Sequence, residues 1–487
     1  MLEEEKKTKS PIYLTTTLPY VNADPHLGFA LEAVQADALK RFFEVFKEKE
    51  VFLNTGVDEH GLKIYRKALE EGREPQEYVD SKIDSWKNLL NELNIKPSNF
   101  IRTTDPKHKK AAKEFWTRCL ENGDIYKANY TVKYCVGCEL EKTESELEEG
   151  RCPVHPNLDL ELIEEENYFF RFSRYKDKLL DLYEECSDFV SPKERFNEIK
   201  SFIEAGPRDF SISRVRNKMP WGIEVPDDPE QVMYVWFDAL INYISTLGWP
   251  ENKKNFEKWW PAVQFAGKDN LRQQSAMFQA MLLSAGIEPS RKIIIHGYIT
   301  SGGFKMSKSL GNVVNPFEVI TGYGVDALRY YLLGEIPTFG DGDFTWERMR
   351  DSYNANLANG IGNLSSRILK MSSKYGVWLS VEDMPEARDI LNIHSEFEEF
   401  MENYNLSVAL SYIWKEMGQI DKHIEETQPF KNIKLNEEKA KGDVYESLRR
   451  LWEISTLLQP FMPETARVIK DSIKDQKIPP ILFARKD

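Results

Sequence analysis

Hydrophobic and polar positions change period along this chain, and each change marks an element. "IYLTTTL", beginning at Ile12, is a short apolar strand. From about His26 to Lys47 the apolar residues Leu27, Leu31, Val34, Ala38 and Phe42 recur at helical spacing. "VFLNTG", from Val51, is a second strand. Strand, crossover helix and strand predict a parallel sheet whose ligands sit beyond the carboxyl ends of the strands. Helical periodicity continues to about Asn122. From Tyr126 to Pro226 the texture turns aromatic, with clustered cysteines and turn residues, as expected of an inserted domain. The strand-then-helix rhythm returns at "VMYVWFDALINYI" and "VQFAGKDN", and "KIIIHGY" is another buried strand.

After about Ser352 the pattern is almost wholly helical. Leu357, Ile361, Leu364, Ile368 and Met371 alternate four- and three-residue steps, a buried stripe. A second helix carries Leu406, Leu410, Ile413, Met417, Ile420 and Ile424, and a third ends before Pro460. The expected class is α/β with a helical bundle appended. Residues 1–125 and 227–300 are expected to form the two halves of the sheet domain, 126–226 the insertion, 301–352 a connecting region and 353–487 the bundle.

Composition narrows this picture. The chain has 487 residues, 41% hydrophobic and 30% charged, enough for several domains around a large core. No window of about 20 residues is apolar enough to span a bilayer. "MLEEEKKTKS" lacks the apolar run of a signal peptide. Five cysteines, three of them close together, suit a metal site better than a disulfide framework, so a cytoplasmic protein is expected. A net charge of −14 argues against non-specific coating of nucleic acid, though not against a partner read through a local patch.

Two loops carry candidate chemistry. "TLPYVNADPHLGFALE", Thr17 to Glu32, places His26 and Gly28 at the mouth of a helix. Unpaired N–H groups and the positive end of the dipole attract phosphate there. Gly28 lets a bulky ligand approach the backbone, and His26 adds a donor. "SGGFKMSKSLGNVVNP" sets Lys305 and Lys308 around Met306-Ser307, with glycines on either side, as point charges for a polyphosphate.

"HLGF" and "KMSKS" resemble the paired signatures of class I aminoacyl-tRNA synthetases. With "LPYVNADPHLG", "GVDEHG", "YVWFDALINYIS", "GKDN" and "NVVNPFEVITGYGVDALRYYLL" in order, nearly the whole chain resembles the methionyl-tRNA synthetase family. The resemblance implies a Rossmann-like catalytic domain split by a zinc-binding insertion, then a helical anticodon-binding domain. It implies formation of methionyl-adenylate from L-methionine and ATP, followed by transfer to tRNA(Met). His26, Lys305 and Lys308 would be catalytic. Gly28, Glu32, Gly267, Asp269, His296 and Lys308 would hold ATP, accompanied by Mg²⁺. Leu18, Tyr20, Asp58, Trp236, Ala239, Leu240, Tyr243 and Gln274 would form the methionine pocket, with Asp58 facing the ammonium group. An unbranched, weakly polar side chain calls for such an apolar and aromatic enclosure with one anion.

The sequence departs from the family at three places. Phe29 stands where the first signature ends in a second histidine, which removes a donor. Gln274 and Phe278 stand where a histidine and a tryptophan are common. Pro429-Phe430 stands where Pro-Trp is usual. Activity is expected despite these changes. They leave as the alternative a non-catalytic tRNA- or nucleotide-binding paralogue, with a class I synthetase for another aliphatic amino acid as a same-fold rival.

"CVGC" at 135–138 and "CPVH" at 152–155 offer three thiolates and one imidazole, Cys135, Cys138, Cys152 and His155. That is a closed tetrahedral set for one structural Zn²⁺; redox pairing or chance clustering are the alternatives. In the bundle, Asn356, Asn363 and Arg367 fall within about 40° of one another on a regular helix. The resemblance makes this the anticodon-reading helix, with Asn363 and Arg367 matching base-contacting positions and Pro429 and Phe430 completing the surface. No appended dimerising domain is recognisable after the bundle, so a monomer is expected, with no membrane association.

Overall fold

The computed structural model describes residues 10–138, 140–142, 146–306 and 311–487. Its centre is a six-stranded, all-parallel sheet. The strand order across it is Asn99–Arg102, Val51–Val57, Ile12–Thr15, Val263–Gly267, Lys292–His296 and Val190–Ser191. Alternation along the strands explains why both faces are covered. Ile12, Leu14, Leu53, Phe265 and Ile294 belong to one core, and Tyr13, Ile293 and Ile295 to the other. Chain order reverses between Ile12–Thr15 and Val263–Gly267, so the crevice beyond their carboxyl ends is the topological switch point of the sheet.

The helix Leu27–Phe46 starts and stops one residue inside the predicted span, with His26 as N-cap and Lys47 as C-cap. The insertion builds its own antiparallel sheet from Leu140–Lys142, Ile125–Cys135, Glu161–Phe170 and Phe210–Ser211. Between its strands the chain returns Val190–Ser191 to the edge of the central sheet.

Helices Asn363–Tyr375, Leu406–Thr427, Glu437–Leu457 and Pro463–Lys474 form the bundle, and every predicted stripe residue of Leu406–Thr427 is buried. The core that starts under the central sheet runs without interruption into this bundle. The fold is therefore the expected one: a Rossmann-like sheet, an insertion with a cysteine cluster and a helical bundle.

One expectation of regularity fails. The stretch expected as a single helix is π-helical over Tyr353–Gly362 and α-helical only from Asn363, with Gly360 at φ −82°, ψ −108°. The wider turn changes the phase, and Asn356 bonds Glu335 Oε1 at 3.3 Å. Asn356 is thereby taken off the face it was expected to share with Asn363 and Arg367.

Candidate active site

The first loop explains the opening histidine. His26 has extended backbone geometry, and its Nδ1 accepts the Gly28 N–H at 3.0 Å. An accepting Nδ1 carries no proton, so the donor this imidazole offers is Nε2–H. Gly28 is what allows the ring to fold back: a Cβ there would lie 2.8 Å from His26 Cε1 and 3.0 Å from Nδ1. The same absent Cβ would stand 3.8 Å from Ile299 Cγ2. Ile299 begins the hairpin Ile299–Ser301/Phe304–Lys305 that leads into the lysine loop. The first loop thus lies against the start of the hairpin that precedes the second.

Gly302 and Gly303, at φ +64° and +80°, form the turn of that hairpin, so their immediate requirement is conformational. Lys308 lies outside the described residues, as does the Lys305 side chain; the Lys305 backbone closes the hairpin.

Phe29 does not face the crevice. Its ring is buried in the core, edge-on to Trp86 at 4.9 Å. The substitution Phe29→His should therefore not raise the rate of adenylate formation. It should lower stability by about 1 kcal/mol or more, through loss of the ring pair and burial of an imidazole. Thermal unfolding and pyrophosphate exchange on the purified variant check both.

Residues after four neighbouring strands gather at the switch point. Asp58 follows Val51–Val57 and is held against the first loop by a bridge to Tyr20: its N–H donates to Pro19 O at 2.9 Å, and its carbonyl accepts the Val21 N–H at 3.1 Å. Asp58 Oδ1 accepts from Thr103 Oγ1 and from the His60 N–H, both at 3.3 Å. Gly267 ends its strand, and a Cβ on it would meet Asp269 Oδ1 at 2.8 Å and the His296 ring at 3.7 Å. Gly267, Asp269 and His296 therefore enclose one small space.

His296 and Glu32 are paired with each other. The His296 Nε2 lies 2.8 Å from Glu32 Oε2, and Nδ1 lies 2.8 Å from the Gly297 carbonyl. Glu32 Oε1 also accepts the Thr17 N–H and hydroxyl, at 2.5 and 2.7 Å. Burial pulls the imidazole pKa down, but the Glu32 carboxylate and the Gly297 carbonyl outweigh it, and the net shift is upward. An oxygen faces each nitrogen of the ring.

Around Tyr20 and Trp236 lies an aromatic enclosure. These two half-buried rings pack with Tyr134, Tyr234, Val235 and Val136. Tyr243 is buried, its ring lies 5.5 Å from that of Phe278 at a 59° tilt, and its hydroxyl accepts from Gln274 Nε2 at 2.7 Å. Gln274 sits on a π-helical turn, Gln273–Met277, and its Oε1 is buried without a partner among the described residues. Ala239 is buried beside this wall, Leu240 sits in the second core, and Leu18 is half-buried on the first loop.

Cys135, Cys138, Cys152 and His155 converge, their ligand atoms all within 4.8 Å of one another. Cys138 Sγ lies 3.5 Å from Cys152 Sγ and 3.2 Å from His155 Nδ1, and Cys135 Sγ lies 3.8 Å from that nitrogen. A tetrahedron with Zn–S of about 2.3 Å and Zn–N of about 2.0 Å has edges of this size. Gly137 is obligatory, because a Cβ would fall 2.5 Å from His155 Cγ. The cluster fits a closed structural zinc site.

It also touches the aromatic enclosure, a link not foreseen from sequence. Val136, between two ligands, packs in the Tyr20–Trp236 group. Lys63 Nζ donates to the Gly137 carbonyl at 2.5 Å and lies 5.3 Å over the Tyr20 ring.

In the bundle, Arg367 Nη1 pairs with Asp421 Oδ1 at 2.8 Å, and both are partly exposed. Asn363 is exposed one turn earlier. Pro429 starts a short helix after Gln428 at φ +43°, leaving the Phe430 ring 49% exposed. Among the described residues no helix is long and apolar enough to cross a membrane.

Comparison with known proteins shows what the chain is similar to. The sequence profile described as "tRNA synthetases class I (M)" matches residues 12–161 and 142–369. The methionine–tRNA ligase of Thermotoga maritima is 40% identical over 94% of this chain and 74% of its own length. That of Caldanaerobacter subterraneus is 42% identical over 94% and 73%. Mycobacterium tuberculosis methionyl-tRNA synthetase in complex with methionyl-adenylate superimposes with a TM-score of 0.88 at 36% identity, covering 95% of this chain and 94% of that one.

Proposed function

The chain belongs to the methionyl-tRNA synthetase family of class I, and from that premise we infer which of its residues carry the reaction. The protein is a ligase that activates L-methionine with ATP to methionyl-adenylate and transfers the methionyl group to tRNA(Met). One observation carries the residue assignment. Groups at or beyond the carboxyl ends of four adjacent parallel strands, His26, Asp58, Asp269 and His296, lie on the side where the strand order reverses.

In the first step a methionine carboxylate oxygen attacks the α-phosphorus of ATP and pyrophosphate leaves. Protein groups need form no covalent bond; holding the reactants in line supplies about 7–11 kcal/mol of the barrier. His26 donates from Nε2–H to the α-phosphate as charge builds, and Lys308, assisted by Lys305, meets the leaving pyrophosphate. Mg²⁺ accompanying ATP would supply charge neutralisation on the phosphates. Gly28 keeps the helix mouth open for the nucleotide, and Asp269 receives the ribose over Gly267. His296 lies beside adenine, oriented by Glu32. Asp58 takes the methionine ammonium group. Leu18, Tyr20, Trp236, Ala239, Leu240, Tyr243 and Gln274 surround the thioether chain. In the second step a hydroxyl of the terminal tRNA ribose attacks the adenylate carbonyl and AMP leaves.

Cys135, Cys138, Cys152 and His155 would hold a structural Zn²⁺ that braces the insertion beside the pocket, and four protein ligands would leave it no catalytic part. Asn363, Arg367, Pro429 and Phe430 read the anticodon, by hydrogen bonds and by stacking on the exposed ring. Arg367→Ala should lower aminoacylation chiefly through tRNA binding while leaving pyrophosphate exchange unchanged; parallel assays of the two activities check this. We read the protein as a cytoplasmic monomer; the compartment is supported by its five cysteines, none of which is paired in a disulfide.

Amino-acid-dependent ATP–pyrophosphate exchange across a panel of amino acids tests the reading. Exchange with methionine is expected. Exchange driven by leucine, isoleucine or valine in its place, or by none, would contradict it.

A further inference from the structure

A buried polar seam runs behind the aromatic enclosure, and none of the roles above uses it. Asp238 lies in the apolar run "YVWFDALINY" on the short helix Val235–Leu240 and is 0% exposed. Its Oδ2 is 2.6 Å from His60 Nδ1 and its Oδ1 is 2.8 Å from His108 Nε2. Both histidines are themselves buried.

They come from different parts of the sheet domain. His60 is two residues beyond Asp58 and gives that carboxylate its own N–H. His108 is on the helix Pro106–Glu121, and its Nδ1 lies 2.9 Å from Ser245 Oγ. The seam continues along the chain after Asp238. Asn242 accepts Asn54 Nδ2 at 3.1 Å and donates to the Ala239 carbonyl at 2.7 Å. The surroundings are apolar: Phe237 packs edge-on against Phe115 and Trp116.

A carboxylate in such a place costs stability unless both oxygens are bonded, and packed apolar side chains often serve stability as well. What two directional bonds add is a single permitted registration of the elements they join. Here those elements are the turn that presents Asp58 and the helix that presents Trp236, Ala239 and Leu240. Burial pushes the Asp238 carboxyl up, but the electrostatic pull of His60 and the bonds from His108 and His60 hold it down to about 2. It is an acceptor at both oxygens throughout the working range of pH.

We propose that His60, Asp238 and His108 are positioning residues that fix the separation between the ammonium-binding carboxylate and the side-chain wall, and so set the length of amino acid the pocket accepts. The proposal rests on the reading of Asp58 and Trp236 as methionine-pocket residues.

The test is pyrophosphate exchange by the full chain with methionine and with ethionine, whose side chain is one methylene longer. One methylene in an apolar pocket is worth about 10–200-fold in kcat/KM, so the preference is measurable. Asp238→Asn turns one acceptor into a donor facing an N–H. It should raise the methionine KM about tenfold, leave the ATP KM within about twofold, and narrow the methionine-to-ethionine preference about tenfold. His108→Leu should do the same. His108→Gln, which retains a side-chain N–H toward Asp238, should keep the preference near wild type.

An unchanged preference in Asp238→Asn would overturn the proposal, as would parallel rises in both KM values. So would a His108→Gln variant as impaired as His108→Leu. Should Asp238→Asn fail to fold, the two His108 variants decide. Asp58→Asn separates the underlying reading: if it leaves the methionine KM unchanged, the pocket assignment fails; if it alone raises that KM, the seam fails.

Discussion

Cys135→Ser is expected to lose its zinc equivalent to a chelator, to melt at a markedly lower temperature than wild type, and to bind methionine more weakly. Cys135 is fully buried at the end of the strand Ile125–Cys135, and a serine hydroxyl there is not a thiolate. Structural zinc in small domains contributes on the order of 10–16 kcal/mol at neutral pH, and losing one of four ligands forfeits a large part of it. The damage should not stay in the insertion. Val136 packs with Tyr20 and Trp236, and Lys63 ties the Gly137 carbonyl to the Tyr20 ring, so a loosened knuckle disturbs the enclosure from one side. Metal analysis after dialysis, a melting curve and the methionine KM check the three parts. A full zinc equivalent retained by the variant would remove the assignment.

The second large effect is at His26, where two functions of one imidazole can be separated. Nδ1 caps the helix Leu27–Phe46 by accepting the Gly28 N–H, and Nε2–H is the proposed donor to the α-phosphate. His26→Asn supplies a good helix cap but cannot extend a donor to the Nε2 position. It should keep stability within about 1 kcal/mol of wild type and lose about 10²–10³ in the rate of adenylate formation, the usual cost of one donor at a developing oxyanion. His26→Gln, whose amide can reach further but caps poorly, should behave oppositely, with lower stability and a better-preserved rate. A wild-type rate in His26→Asn, with a loss of rate only in the poorly capping His26→Gln, would assign the histidine to the helix alone. Single-turnover formation of methionyl-adenylate and chemical denaturation distinguish these outcomes.

The parts of the fold that depend on local periodicity were legible in the residues. The 3.6-residue recurrence of Leu27, Leu31, Val34, Ala38 and Phe42 located the first helix to within a residue. The spacing of two Cys-x-x-(Cys/His) pairs foretold the convergence of four ligands that lie 20 residues apart at most. What remained hidden needed three dimensions. The Glu32–His296 pair joins residues 264 apart, and the Asp238 contacts to His60 and His108 join residues 178 and 130 apart. A signal for the second was present all the same: Asp238 is the lone acid in an otherwise apolar run, which a buried and paired carboxylate would explain.

The glycines show a different limit. Gly28 was read as room for a ligand, and Gly302 and Gly303 as glycines flanking the lysine loop. In the fold they answer first to the chain itself, one to the His26 ring and two to a hairpin turn. Likewise Asn356 looked equivalent to Asn363 on an ideal helix, and the π-helical turn ending at Gly360–Gly362 gave it another neighbour, Glu335. Phe29 looked like a missing catalytic donor. Its burial against Trp86 makes it a packing residue, so the departure is at home in the local structure.

All the chemistry assigned here requires the imidazole of the first loop and the lysines of the second to serve one nucleotide. A structure of the full chain with methionine and a non-hydrolysable ATP analogue measures this directly. The account predicts an α-phosphate oxygen within hydrogen-bonding distance of His26 Nε2, and the Lys308 ammonium group on the neighbouring phosphates. A triphosphate held by only one of the two loops, with the other opening onto a separate cavity, would contradict it.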